Sequence, residues 1–380
     1  MQFSIPAAIL SQGLKLVSRA IPKRAARPIL QNVMISANGA IELAGTDLEV
    51  GTRRVLEGTL SKAGEIMVPA ARLATIIKGA KGELVTFKGA DGKLEVSWTR
   101  RRFSLQGEDV ADFPVIPQYP AGKGLRIDAA AFRELVKRIS FACAAEESRY
   151  AIHGVLISVK SGRVTFVGTD GKRLAIQTGS VIPWPRHGTE KETGSFEALI
   201  PSRVLADIVA AMPKGAKDLG DVSILPEDNR VLFQYGGATF VASKIDGTFP
   251  TWEEVVPSKF EYRISMNSAD LEGALKDVAT MASEGSQSVS LAFGGALLTV
   301  GAQALNVGAC QADVPLELDA GIEIDPITVH FNPKYLIDYL KASESPEVTF
   351  EMSDARSAVK LTDETDGCYV LMPITLEDAS

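Results

Sequence analysis

At 380 residues, with 46% hydrophobic and 23% charged side chains, the chain has room for two or three domains with substantial cores, and its balance argues against a disordered or fibrous protein. The formal charge of −7 disfavours a protein that coats nucleic acid with its whole surface, while leaving room for one local basic face. Cys143, Cys310 and Cys368 lie far apart without a CxxC pair, which argues against a disulfide framework or zinc site, and MQFSIPAAIL lacks the basic start of a secretory signal, so a cytoplasmic protein is expected.

Ile5 to Ile21 places Ile9, Leu10, Leu14, Leu16 and Val17 on one stripe at roughly helical spacing and predicts the first helix. Val33 to Ser36 and Ile41 to Leu56 alternate as strands and hairpins do. From Ile66, IMVPAARLATIIKGA joins a short β-branched run through Pro69 to an amphipathic stretch carrying Arg72. Proline's fixed φ suits a first helical turn, so this reads as strand, tight turn and second helix. More strands are expected next, as in Leu84 to Phe87, Leu94 to Trp98 and Arg102 to Leu105, followed by the connection FPVIPQYPAGKG from Phe113 to Gly124.

The same order returns twice. Ile127 to Cys143 predicts a helix capped by Asp128, Val155 to Val159 and Val164 to Ile176 supply strands, and ALIPSRVLADIVAAM from Ala198 repeats the unit with Pro201 and Arg203. After FPTWEEVVP, Met266 to Ala282 predicts a helix capped by Asn267 or Ser268. Strands come next at Val289 to Phe293 and Leu297 to Val307, and VHFNPKYLIDYLKAS from Val329 closes the third copy with Pro333 and Lys334. Pro69, Pro201 and Pro333 are 132 residues apart, a period that means a triplicated domain and not a solenoid. The domains are read as 1–125, 126–262 and 263–380, each with two helices against antiparallel sheets in an α+β arrangement. LAGTDLEVGTR at Leu43 also recurs as FVGTDGKRLAI at Phe166, with a degraded form, TVGAQALNVGA, at Thr299.

The six helix windows carry +2, +3, +1, +2, −2 and +1, a total of +7 in a chain of −7, so everything else carries −14. Lys23, Arg24 and Arg27 after the first helix widen that contrast. An acidic protein with basic helices can present them to a polyanion. No helix-turn-helix, zinc knuckle or aromatic strand face offers base readout, so contact would be to phosphate and sensitive to salt.

In order and spacing, Arg27-Pro28-Ile29-Leu30, Gly45-Thr46-Asp47-Leu48-Glu49, Arg102-Phe103-Ser104-Leu105, Asp112-Phe113-Pro114, Arg149-Tyr150, Thr169-Asp170-Gly171-Lys172-Arg173-Leu174, Asp246-Gly247 with Phe249-Pro250, and Tyr369-Val370-Leu371-Met372-Pro373 form a specific set. On them the chain resembles, over essentially its whole length, the bacterial DNA polymerase III beta subunits, the sliding clamps. The resemblance implies a head-to-tail homodimeric ring on double-stranded DNA, with helices lining the hole and no cofactor. It implies partners in the replicative polymerase alpha subunit, an ATP-dependent clamp loader with its delta subunit, other polymerases, ligase and mismatch-repair proteins.

Residue by residue, the resemblance places Arg24 and Arg203 against DNA, and the internal repeat extends this to Arg72 and Lys334. Glu146 stands where a polar residue usually touches DNA. The subunit joint would bring the edge strand of Phe103, Ser104 and Leu105 to the region of Thr280 and Met281 and the strand after it. A hydrophobic cleft for client peptides would use Ile152, Thr169, Gly171, Lys172, Arg173, Leu174, Pro250, Val255, Ala358, Val370, Leu371, Met372, Pro373 and Ile374. Pro373, which interrupts pairing, suggests an exposed edge there. Glu254, where a basic residue is common, and Glu377 to Ser380, beyond the usual last leucine, predict a taste for peptides with a basic flank.

No catalytic residue and no metal site is nominated. His153, His187 and His330 are the only histidines and have no HExxH spacing. Gly168 to Arg173 resembles a phosphate loop only superficially, lacks GxxxxGK[ST] and recurs as GTDLEV, which fits an Asp-Gly hairpin turn better. The alternatives are a client-binding adaptor that keeps the ring fold, and a phosphate-substrate enzyme for which no titratable group can be named.

Overall fold

The computed structural model describes residues 1–144, 154–183, 195–216, 218–281, 288–304, 308–317 and 325–374. Glu146, Ile152, His153, His187, Val307 and Glu377 to Ser380 lie outside the described residues.

The first repeat runs β1 (Gln2–Pro6), α1 (Ala7–Val17), β2 (Asn32–Asn38), β3 (Ala40–Thr46), β4 (Val50–Leu56), β5 (Thr59–Lys62), β6 (Glu65–Pro69), α2 (Ala70–Lys78), β7 (Leu84–Ala90), β8 (Lys93–Trp98) and β9 (Arg101–Gln106). The second runs β10 (Leu125–Asp128), α3 (Ala129–Ser140), β11 (Gly154–Lys160), β12 (Arg163–Thr169), β13 (Arg173–Ser180), β14 (Ile182–Pro183), β15 (Phe196–Pro201), α4 (Ser202–Ala211), β16 (Asp221–Pro226), β17 (Arg230–Tyr235) and β18 (Ala238–Ser243). After the single turn α5 (Trp252–Val255), the third runs β19 (Tyr262–Asn267), α6 (Ser268–Ala279), β20 (Val289–Gly294), β21 (Leu297–Ala304), β22 (Gly308–Pro315), β23 (Ile327–Phe331), α7 (Pro333–Ser343), β24 (Glu347–Met352), β25 (Val359–Thr362) and β26 (Gly367–Leu371).

Two details differ from the sequence reading. Each repeat opens with a strand and not a helix, because Ile5, Ile127 and Met266 are buried on sheets and share helical spacing with the residues after them only by coincidence of register. Three strands come after each second helix, in the first repeat at the three segments expected. Pro69 and Pro201 sit at the N-cap with φ near −56 and −57°, whereas Pro333 is the first helical residue and Asn332 is the cap. The second interval is therefore one residue shorter in structural terms than the proline count. The caps at Asp128 and Asn267 form as expected: Asp128 accepts from Ala131 N–H at 2.9 Å, and Asn267, not Ser268, accepts from Ala269 and Asp270.

The chain divides into two compact units that cut through the second repeat, Met1–Phe132 with Val181–Ile245, and Arg133–Ser180 with Asp246–Ser380. In the first, one sheet has the order β5-β1-β7-β8-β9 and another β14-β10-β16-β17-β18-β4-β3-β2-β6. Leu10, Leu14 and Val17 of α1 and Leu73 and Ile77 of α2 bury against Phe3, Phe87, Leu94 and Val96, each such side chain stabilising by about 1.5–3 kcal/mol. Gly13 lets α1 lie close on β4, since a Cβ there would stand 2.6 Å from Leu56 Cδ2.

In the second unit, strands run β11-β12-β13-β26-β25-β24-β19 and, separately, β22-β21-β20-β23. Here α6 packs on α7, β21 and β22 through Leu271, Leu275 and Val278. All strand pairs described are antiparallel, as an α+β layering requires. Among the described residues no helix is long and apolar enough to cross a membrane.

Candidate functional site

The apolar site is built on the pairing of β13 with β26 in the second unit. Leu174 faces Val370 across the two strands, and Leu156, Val167 and Ile176 extend the same buried face. Phe249, Trp252, Val256, Ala358 and Cys368 pack against it half-buried. At its rim stand two large apolar side chains in solvent, Val255 at 45% and Met372 at 46% exposure, with Pro250, Gly171 and Lys172 also at the surface and Pro373 and Ile374 intermediate. Exposed apolar groups beside an apolar floor are what a peptide's hydrophobic side chains need.

Strand alternation corrects part of the expected set. Leu371 is fully buried and, like Tyr369, turns to the opposite face from Val370, so it supports the strand and is not on the floor. Tyr369 stacks on Tyr339 there with ring centroids 4.9 Å apart. β26 is also no edge: it lies between β13 and β25, and Pro373 comes after its end. Ile152 lies outside the described residues.

The turn from β12 to β13 shapes the rim. Thr169 Oγ1 donates to Arg173 O at 2.6 Å and accepts from Gly171 N–H at 3.1 Å, while Asp170 Oδ1 accepts from the N–H groups of Lys172 and Arg173. Gly171 takes φ +87°, a left-handed conformation that side chains resist. Arg173 lies beneath the turn, 8% exposed, and not open at the surface. Its guanidinium donates to Asp170 at 2.9 Å and to Asp338 at 3.0 Å and lies 4.3 Å from the Tyr335 ring centre. Burial works against its charge, but Tyr369, Asp338 and Asp170 outweigh it and raise its pKa.

The first unit contains the same construction with its floor removed. Thr46 Oγ1 donates to Val50 O, Asp47 caps Glu49 and Val50, and Ser243 N–H donates to Glu49 O as Met372 N–H does to Lys172 O. By strand register, Met34, Ala44, Gly51, Arg53 and Val241 take the places of Leu156, Val167, Leu174, Ile176 and Val370. The space over Gly51 is filled from within. Ile116 of the connection approaches to 3.1 Å from where a Cβ would stand, and Arg53, paired with Glu42, donates to Ile116 O at 2.5 Å. Phe113, Ile116 and Tyr119 are buried with Ala44 and Val241. This internal occupant was invisible in the sequence, where FPVIPQYP reads as a linker.

The basic residues are disposed unequally. Arg24, in the turn after α1, and Arg72 are exposed and enter no ion pair among the described residues. Arg203 is paired with Asp47 and lies 3.2 Å from Glu49, and Lys334 donates to Asp338 at 2.5 Å. Arg72 is third in its helix but Arg203 and Lys334 are second in theirs, so the internal repeat does not align Arg72 with them. Arg19 pairs with Asp207, Lys137 with Glu344 and Arg138 with Asp363, so the positive charge summed along the helices is in part neutralised locally.

Both strands of the expected subunit joint lie at sheet ends. β9, with Phe103 and Leu105 half-buried and Ser104 exposed, ends one sheet of the first unit, and β22 ends one of the second. Thr280 closes the C-terminus of α6, its hydroxyl donating to Asp277 O at 2.7 Å, and Met281 comes next with its Cε 3.3 Å from where a Cβ on Gly308 would stand. Among the described residues no three His, Cys, Asp or Glu side chains converge as metal ligands. Burial lowers the His330 pKa and pushes the Cys143 thiol up to about 12, with Asp170 adding to the rise, so the thiol is not a ready nucleophile near neutrality.

Three domain models of one family match the chain: the DNA polymerase III beta subunit N-terminal domain over residues 1–117, the central domain over 126–251 and the C-terminal domain over 253–375. The beta sliding clamp of Chlamydia pneumoniae is 27% identical over 380 residues and that of Pseudomonas aeruginosa 29% over 383, covering 100% and 99% of this chain and 100% of each relative. The crystal structure of the DNA polymerase III subunit beta from Pseudomonas aeruginosa superposes with a TM-score of 0.87 at 28% identity, covering 99% of this chain and 100% of that one. The chain belongs to the DNA polymerase III beta subunit family, the beta sliding clamps.

Proposed function

We propose that two copies of this chain close head to tail around duplex DNA and tether a bacterial replicative polymerase to its template, as cytoplasmic, non-catalytic parts of that machine. Three domains, 1–125, 126–262 and 263–380, would supply the ring, with β9 of one copy meeting β22 and the Thr280–Met281 turn of the next. Arg24, Arg203, Arg72 and Lys334 would touch phosphate, with no sequence preference. An ATP-dependent loader, acting through its delta subunit, would open the ring, and the polymerase alpha subunit, other polymerases, ligase and mismatch-repair proteins would share the cleft.

The observation that supports this best is the apolar floor of Leu174 and Val370 with Met372 and Val255 exposed above it, in a chain of beta sliding clamp ancestry. Encirclement predicts retention by topology. Loaded rings should stay on nicked circular DNA at salt that strips ordinary phosphate binders and should run off the same DNA once it is cut. Equal lifetimes on both forms would refute the ring. For the cleft, exposed Glu254 predicts tighter binding of a peptide with a lysine flank than of its glutamate-flanked twin, and Glu254→Lys should reverse the order; equal titration curves would refute this.

A further inference from the structure

Asp338 is shared between the two surfaces just described. One oxygen, Oδ2, accepts from Arg173 Nη1 at 3.0 Å and from Lys334 Nζ at 2.5 Å. Arg173 anchors the turn at the rim of the apolar site, and Lys334 opens α7. An exposed Lys–Asp pair four apart on a helix is ordinarily worth only about 0.3–0.5 kcal/mol. This one is different because its carboxylate is 21% exposed and its second partner only 7%, so the two cations compete for one anion where water screens weakly.

Further bonds make the surroundings one assembly. Met372 N–H donates to Lys172 O at 3.1 Å, Ile374 N–H to His330 O at 2.8 Å on the strand that leads into α7, and Tyr369 O–H to Tyr335 O at 3.1 Å. Thus the first turns of α7, the 170–173 turn and the run from Tyr369 to Ile374 cannot shift independently.

Resting on the assignment of Lys334 to phosphate and of the Leu174 floor to client peptide, we propose that Asp338 is a positioning residue that couples the grip on DNA to the affinity of the client cleft. A phosphate that draws Lys334 outward leaves Asp338 wholly to Arg173. The guanidinium then holds the 170–173 turn, and Met372 bonded to it, more firmly against α7. A peptide meets a rim already in place and binds tighter. By reciprocity the peptide strengthens phosphate binding by the same factor.

The test titrates the full-length protein with a fluorescent leucine-rich hexapeptide, with and without a short linear duplex at low salt. The duplex should tighten peptide binding about fivefold. Lys334→Met, a change at a side chain 70% exposed, should reproduce that tightening without DNA and leave the duplex nothing to add. Asp338→Asn should remove the dependence on duplex, with melting curves confirming that both variants fold. If neither duplex nor Lys334→Met alters peptide affinity while Lys334→Met weakens duplex binding, the coupling is overturned and both binding assignments stand. If Lys334→Met leaves duplex binding intact, or the parent binds no peptide, the assignments themselves fail and the coupling falls with them.

Discussion

Leu48 carries a conformation that its repeat partner gives to glycine. Its φ is +86° where Gly171 has +87°, in turns whose threonine and aspartate bonds are otherwise the same. The leucine is half exposed and gains little burial in return. Leu48→Gly should therefore stabilise the protein by about 1 kcal/mol, and Gly171→Ala should destabilise it by a similar amount, both read from denaturant midpoints. Opposite signs at equivalent sites would be hard to obtain from anything but backbone strain. The Asp-Gly signature was legible as a turn in the second repeat. In the first, only the recurrence of GTD marked it, because leucine is a poor signal for a left-handed residue.

At the scale of elements, α3 is tied to the end of α7 by a buried group of charges. Asp363, with 2% of its side chain exposed, accepts from Arg138 at 2.5 Å and from the Ser343 hydroxyl at 2.6 Å. Burial alone would raise the Asp363 pKa, but hydrogen bonds from Ser343 and Thr365, with Arg138, hold it below the ordinary carboxylate value. A lowered carboxylate pKa in the folded state contributes stability that is complete above the unfolded value, near 3.8, and is lost as pH falls through the folded one. Asp363→Ala leaves Arg138 buried without its counter-charge and should cost about 3 kcal/mol near neutral pH. That deficit should shrink on acidification below the carboxylate range; a pH-independent deficit in urea titrations would contradict the assignment.

Helices and strands were largely legible because their apolar periodicity survives in all three repeats. Their first residues were not, since Ile5, Ile127 and Met266 belong to sheets yet keep the helical spacing. In the site, Leu174, Val370 and the exposed Met372 can be read from strand alternation once β26 is placed. The inward turn of Leu371 and the submerged position of Arg173 depend on long-range pairing with β13 and α7, which short-range pattern does not report.

For the whole molecule, the proposed joint at the edge strand β9 would rest self-association on a few residues. Leu105→Lys puts a charge on the edge strand while its stem still covers the partly buried site. Light scattering should then return a mass near 40.5 kDa at micromolar concentration, against twice that for the parent, with melting barely changed. A parent already at the single-chain mass would count against the joint.

The side chain of Ile116, seated over Gly51 and held by Arg53, has a wider consequence. The framework of the proposed docking place recurs in the first repeat, where the chain's own connecting peptide fills it. On the proposed function, the copy over Leu174 and Val370 stays open to clients where the first repeat's copy is filled, so partners arriving there would compete for it by affinity and residence time.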